Sequence, residues 1–355
     1  MNISNSGKLI LMLLVIAAVS ACVLLPRHGH HANSPHHAHD AFQNPKGSPG
    51  KSFSWHALWF FPTRPLAQLL YSKPPQGHVV PEAQARKHFY ETAGSNSVTW
   101  IGHMTAVIRL DGQLILIDPW FTDYATPVPP FGPHRKMPPG IALENLPQID
   151  TIVVSHNHFD HLDIATLEIL PRPERITLIV PLKLGRYVEH IPFKEVIELD
   201  GYQSHERKDV VFTALPVVHF SARKLMDRNE TLWAGFSIHG MRSGKRIFYF
   251  EGDYGEIYKK IGEAYGPFDI AMIATGAYKP RSIMAGSHCS PETCVQAGLD
   301  LRAQVLIPLH WGTTVLGTEN IYETGTVFQQ EAVKKGIRFL CFWCPMRSAF
   351  IPFHC

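Results

Sequence analysis

Three histidines and an aspartate stand within six consecutive residues, His156, His158, Asp160 and His161, in the run Val154-Ser155-His156-Asn157-His158-Phe159-Asp160-His161-Leu162-Asp163. Imidazole and carboxylate groups are ligands for zinc, and also for manganese or iron. They are poor core material, because each is costly to bury unpaired. His156 and His158 lie two residues apart, so in an extended stretch their rings point the same way and can share one cation. The chain then turns towards a helix, where Asp160 and His161 reach a second cation nearby.

Three more residues extend the pattern. His219 follows the apolar run 210–218, Asp253 follows 246–250, and His310 follows 304–308. Singly each is weak, since a lone His after a strand is more often a capped or surface residue. Together they are strong, because loops at the ends of neighbouring strands converge on one rim, where catalytic groups concentrate. Two cations a few Å apart bind a bridging water, lower its pKa towards neutrality and polarise the attacked centre. The chain has no Gly-x-Ser-x-Gly elbow and no Gly-rich phosphate loop of the P-loop type.

The elements that must position these groups alternate between strands and helices. Strands are expected over 97–101, 106–110, 113–117, 150–155, 177–181, 210–218, 231–239, 246–250, 270–274, 304–308 and 337–344, and helices over 162–170, 182–190, 291–301 and 329–335. Two comparable strand-rich halves interleaved with helices predict an α/β fold, two sheets flanked by helices. The charged fraction of 18% is low, the net charge is +3, and no long basic run suggests a nucleic-acid partner.

Residues 1–22 read as an export segment, with Lys8, an apolar run and small residues before Cys22. Val19-Ser20-Ala21-Cys22 resembles a bacterial lipobox, which implies cleavage before Cys22 and lipid on its sulfur. The competing reading is an uncleaved signal anchor, since the apolar run 9–25 is about 17 residues, near the lower limit for a spanning helix. Both readings place the protein on a membrane and outside the cytoplasm, on the periplasmic side or as an outer-membrane lipoprotein. Residues 23–51, with six of the 21 histidines, read as a flexible tether. Residues 52–97 form an apolar extension expected to pack on the domain, and 98–355 the main domain that carries the His/Asp pattern. The remaining cysteines, Cys289, Cys294, Cys341, Cys344 and Cys355, are odd in number and read as thiols.

His156-x-His158-x-Asp160-His161 with a later His, Asp and His resembles the metallo-β-lactamase superfamily. Within it the chain resembles the N-acylphosphatidylethanolamine-hydrolysing phospholipase D family. The likeness rests on Trp100-Ile101-Gly102-His103, Asp118-Pro119-Trp120-Phe121, the 155–163 run, the 227–236 run, Gly276-Ala277-Tyr278-Lys279-Pro280-Arg281 and His310-Trp311-Gly312-Thr313. It implies a metallo-β-lactamase αββα sandwich of two mixed sheets. It also implies two zinc ions, one on His156, His158 and His219, the other on Asp160, His161 and His310, with Asp253 bridging. Asp118 would orient ligands from beneath. Phe159 and His288 would face the substrate, with His288 hydrogen-bonding the phosphate or protonating the leaving group alongside catalytic Asp160 and Asp253. Phe159 stands where these enzymes usually carry Tyr, and Tyr254 replaces a small residue and is expected to narrow the pocket.

The function implied is cleavage of N-acylphosphatidylethanolamine to N-acylethanolamine and phosphatidic acid. Two alternatives stay open: hydrolysis of a lactone or cyclic phosphodiester on the same metal shell, and a non-catalytic zinc-binding lipoprotein. The expected partners are a phospholipid or other ester substrate and the membrane, and a homodimer is compatible with the sequence.

Overall fold

The computed structural model describes residues 36–38, 41–50, 54–70, 74–224, 226–340 and 350–352. The export segment with Cys22, and Cys341, Cys344 and Cys355, lie outside the described residues. Among the described residues no helix is long and apolar enough to cross a membrane.

Two helices, α1 (Ala57–Leu70) and α2 (Glu82–Glu91), precede the strands β1 (Ser97–Gly102), β2 (Thr105–Leu110), β3 (Gln113–Ile117) and β4 (Thr151–Val153). Short α3 (Ile164–Glu168) leads to β5 (Thr177–Pro181), β6 (Glu195–Leu199), β7 (Ser204–Arg207), β8 (Val210–Leu215), β9 (Gly235–Gly240) and β10 (Arg246–Phe250). The last part runs α4 (Ile257–Ala264), β11 (Phe268–Ala274), α5 (Arg281–Met284), α6 (Pro291–Asp300), β12 (Ala303–Leu309), α7 (Thr324–Lys334), β13 (Arg338–Phe339) and β14 (Phe350–Pro352).

The strands form two sheets, ordered β14-β1-β2-β3-β4-β5-β6 and β13-β12-β11-β10-β9-β8-β7. In each, an antiparallel meander continues into parallel strands: β3, β4, β5 and β6 in the first, β10, β11, β12 and β13 in the second. Apolar side chains from both sheets, among them Ile108, Ile117, Val153, Phe212, Phe236, Tyr249 and Met272, fill the layer between them. On the outer faces Phe328, Tyr258 and Val295 bury helices against the second sheet, and Phe89 and Leu167 do so against the first. This is the two-sheet αββα sandwich that the pattern predicts.

Several expectations need correction. Residues 182–190 form no α-helix; they hold only a 3-10 turn over Gly185–Tyr187. Lys183 sits at φ 66°, which ends helical geometry there, and the Gly185 N–H donates to Glu198 instead, at 2.7 Å. β6, β7 and α4 escaped the sequence reading; β7 and most of β6 are exposed or half-buried, and β6 offers the core only Ile197 and Leu199. Cys289 and Cys294 are joined as a disulfide, not free thiols.

The tether expected over 23–51 is docked on the domain along its described part. Phe42 is buried in the core beneath the second sheet, and its N–H donates to the Asn229 carbonyl at 2.7 Å. In the extension, Ala57 and Phe60 of α1 bury against Ile283, and Gln68 donates to the Val315 carbonyl at 2.7 Å. Trp55, Leu58 and Trp59 stay exposed, at 74%, 54% and 77%.

Candidate metal centre

The metal-ligand run follows β4, which is fully buried between two parallel neighbours. Past it the backbone stays pinned: the Ser155 N–H donates to Asp118 Oδ1 at 2.7 Å, and Ser155 O accepts from the Ala234 N–H at 3.0 Å. The turn closes as His161 and Leu162 donate to the His158 carbonyl, at 3.1 and 2.8 Å. Arg223 braces it from outside, donating to the carbonyls of Asn157 and Leu162 at 3.0 and 2.7 Å.

One group of ligand atoms is formed by His156 Nε2, His158 Nδ1 and His219 Nε2. His156 Nε2 lies 2.7 Å from His158 Nδ1 and 3.2 Å from His219 Nε2. A second group surrounds Asp160 Oδ2, which has His103 Nε2 at 2.8 Å, His310 Nε2 at 3.5 Å and His161 Nε2 at 3.6 Å. Within each group the ligand atoms lie within 4.8 Å of one another. Six of the expected residues, His156, His158, Asp160, His161, His219 and His310, therefore meet at one rim. The seventh does not. Asp253 Oδ2 accepts from Arg281 Nη2 at 2.8 Å and from the Gly286 N–H at 2.7 Å. Between the groups stands Glu251, at 2.7 Å from His161 Nε2, 3.2 Å from His310 Nε2 and 3.9 Å from His156 Nε2.

Glu251 and His103 are the residues that sequence reasoning missed. Glu251 directly follows the apolar strand β10, the same signal that drew attention to Asp253. His103 ends the Trp100–His103 run and sits in the tight β1–β2 turn at φ 54°. Asp118 (φ 38°) and His310 (φ 66°) also hold left-handed backbone at this rim. Such clustered strain marks sites that the surrounding structure over-determines. Gly276 makes room for His310: a Cβ there would lie 1.8 Å from the His310 carbonyl oxygen.

Asp118 is fully buried beneath the run. Its Oδ2 accepts from Ser155 Oγ and His161 Nδ1, each at 2.6 Å, and from the Tyr249 hydroxyl. With Nδ1 so occupied, His161 turns Nε2 into the centre. His219 is fixed likewise, its Nδ1–H donating to the Ser287 carbonyl at 2.8 Å. His288 is brought to the centre too, with Nδ1 3.1 Å from Glu251 Oε1. Its loop is anchored by the Cys289–Cys294 disulfide and by the Cys289 N–H donating to the Gly252 carbonyl at 3.1 Å. Phe159 lines a cleft of about 490 Å³ with Tyr124, Ile164, Arg223 and Lys224, its ring 4.0 Å from the Arg223 guanidinium. Tyr254 does not narrow the pocket: its hydroxyl donates to Asp300 Oδ2 at 2.7 Å, on α6.

The electrostatics suit cations. Burial pushes His156 and His219 well below the usual imidazole range, and His103 and His158 to about 3, so these rings are neutral with lone pairs to offer. For His161 burial pulls the same way but is overcome by Glu251, Asp160 and Asp118, which raise it well above its ordinary value. Burial likewise fails to neutralise Glu251 and Asp160, held well below the carboxylate range chiefly by His310 and His161 for the first, and by His161 and His103 for the second. His161 Nε2, His310 Nε2, His288 Nδ1 and Glu251 Oε2 are buried without a hydrogen-bond partner although they face one another. Divalent cations satisfy such atoms, so the residues present fit a metal centre.

Fold and centre together define a metal-dependent hydrolase. Residues 113–311 match the beta-lactamase superfamily domain, and the chain belongs to that metallo-β-lactamase superfamily. The N-acyl-phosphatidylethanolamine-hydrolyzing phospholipase D 1 of Caenorhabditis elegans is 38% identical over 237 residues, 63% of this chain and 66% of that protein. An uncharacterized protein of Mycobacterium tuberculosis is 37% identical over 224 residues, 61% of this chain and 59% of its own length, so the match spans less than two thirds of either relative. In fold, a metallo hydrolase from Ignicoccus hospitalis superposes with a TM-score of 0.53 at 18% identity, over 73% of this chain and all of that one.

Proposed function

We propose that the protein is a zinc-dependent phosphodiesterase of the phospholipase D type, which hydrolyses N-acylphosphatidylethanolamine to N-acylethanolamine and phosphatidic acid. The observation that carries this reading is the pair of imidazole groups flanking one buried carboxylate, in a chain similar to the nematode enzyme. When bound, the cations supply Lewis acidity and a nucleophilic water at neutral pH. Water oxygen bonds to phosphorus, the phosphorus–oxygen bond to the ethanolamine breaks, and the departing oxygen takes a proton. His288, at the edge of the centre and 13% exposed, is placed to hold that proton. The cleft beside Phe159 supports a lipid substrate, with aromatic and aliphatic walls and, among its lining, the cations Arg223 and Lys224 alongside the carboxylates Asp163 and Glu168.

The same proposal puts the protein at a membrane outside the cytoplasm, with Cys22 the site of lipidation in the lipoprotein form of the reading. The 1–22 segment supports this, as does the Cys289–Cys294 disulfide, a bond favoured in oxidising compartments. The exposed Trp55, Leu58 and Trp59 supply an apolar face suited to a bilayer surface.

The test is incubation of zinc-loaded protein with N-acylphosphatidylethanolamine in mixed micelles, with products read by mass spectrometry. Chelator-sensitive appearance of N-acylethanolamine with phosphatidic acid is expected. A metal-loaded protein that yields neither product would overturn the substrate and turn attention to lactones or cyclic phosphodiesters.

A further inference from the structure

A second cluster of metal-ligating side chains lies away from the catalytic rim, in the turn after β6 that joins the two sheets. His36 Nε2 is 2.6 Å from Asp200 Oδ1, and His37 Nε2 is 3.1 and 2.9 Å from the two Asp200 oxygens. Two imidazoles share one carboxylate, with ligand atoms within 4.8 Å of one another. The surroundings are built for it. The Gly201 N–H donates to Asp200 Oδ1 at 2.8 Å, which orients the carboxylate, and the Asp200 backbone N–H is held by Gln203 Oε1 at 3.0 Å. Gly201 leaves space for the imidazole: a Cβ there would lie 2.9 Å from His36 Cε1. His36 is 7% exposed, while His37 borders solvent.

We propose that His36, His37 and Asp200 form a separate site for a zinc-class divalent cation, which clasps the N-terminal segment onto the hydrolase domain. Two nitrogens and a carboxylate, with water in a fourth position, make a tetrahedral set. Bonds of 2.0–2.1 Å place tetrahedral ligand atoms roughly 3.3 Å apart, so the observed spacing needs only a slight opening. The clasp has a mechanical consequence. The segment it holds folds back through a bridge between His37 and Phe42 and continues to Asn44. Asn44 Oδ1 accepts from the backbone N–H of His219 at 2.9 Å and from Trp233 Nε1 at 3.1 Å. A cation at Asp200 thus tethers the segment after β8 that carries His219, a ligand of the catalytic centre.

The test counts metal per chain by mass spectrometry after zinc loading and desalting of the full chain, folding being checked by circular dichroism. The variants are Asp200→Asn, the double variant His36→Gln with His37→Gln, and a quadruple variant with His28, His30, His31 and His39 each changed to Ala. The first two should hold one zinc fewer than wild type, and the quadruple variant the wild-type number. Residues 36–50 should be cleaved by protease at least tenfold faster in Asp200→Asn. An unchanged zinc count in both clasp variants would overturn the site. So would loss of that zinc from the quadruple variant, which would mean loose capture by the histidine tract only. Because the difference between variants carries the result, a catalytic centre that bound no zinc would still leave the clasp measurable.

Discussion

Glu251 and Asp253, two residues apart on one loop, send their carboxylates to different partners: Glu251 to His161 at 2.7 Å, Asp253 to Arg281 at 2.8 Å. The loop between them is pinned, with the Asp253 N–H donating to the Val218 carbonyl at 2.8 Å and no space for a Cβ on Gly252, which would lie 2.8 Å from that same oxygen. Glu251→Gln should therefore lower metal content and, in the metal-free chain, cost about 3–5 kcal/mol, as expected when one partner of a buried ion pair is removed. Asp253→Asn should keep the metal content while loosening α5 and the turn at Gly286 that follows it. Metal analysis of the two variants checks this, and a loss confined to Asp253→Asn would reverse the assignment.

His161 carries the proton that its three carboxylate neighbours demand, and a ligand imidazole must give that proton up. Because its value is raised, the metal-free chain holds this proton at neutral pH and sheds it only on metal binding. Zinc binding should release about one proton and tighten about tenfold per pH unit while His161 remains protonated. Titration calorimetry in buffers of different ionisation enthalpy measures the release, and heat independent of the buffer would refute it.

The depressed histidines act on stability with the opposite sign. His103 and His158 titrate near 3 when folded and near 6.5 when unfolded, so the unfolded chain binds more protons between those values. In metal-free protein their contribution is complete above about pH 6.5 and declines as pH falls, by up to about 1.4 kcal/mol per unit for each group. Urea midpoints of chelated protein should drop from pH 6.5 to 5, and midpoints that stay level would show that these rings are protonated in the folded chain.

How far the sequence announced this centre depends on the residue. The 156–161 run was legible because ligands so dense after a buried strand make poor packing and good metal shells, and β3, β5 and β10 were read with their observed limits because each is an apolar run ended by a sharp turn. Glu251 was not, since spacing along a loop does not tell which of two carboxylates the backbone aims inward. The docking of His36 and His37 was hidden because their partner, Asp200, lies 164 residues from His36, and a segment without apolar periodicity gives no sign of where it lands. Residues 182–190 misled because Leu184, Val188 and Ile191 mimic helical spacing while sitting in turns.

Asp118 holds His161 Nδ1 and the Ser155 backbone together, so its loss should misdirect a ligand without removing one. Asp118→Asn should weaken zinc affinity by about 10–100-fold, the range for partners that orient metal ligands. Competition against a fluorescent chelator would measure it, and unchanged affinity would show that the loop alone fixes His161.

Trp55, just ahead of α1, and Leu58 and Trp59 on it present apolar area to solvent, while Ala57 and Phe60 of α1 pack on Ile283 of α5, the helix that leads to His288. If that face meets a bilayer, changing all three to Ala removes the apolar area that would be buried there, at roughly 25 cal/mol per Å². Protein prepared from His36 onward, without any lipid on Cys22, isolates this contribution. The triple variant should bind phospholipid vesicles at least about tenfold more weakly, and should turn over vesicle substrate more slowly while hydrolysing a monomeric short-chain phosphodiester at the parent rate. An equal fall on both substrates would place these residues in support of the His288 loop and not at the membrane.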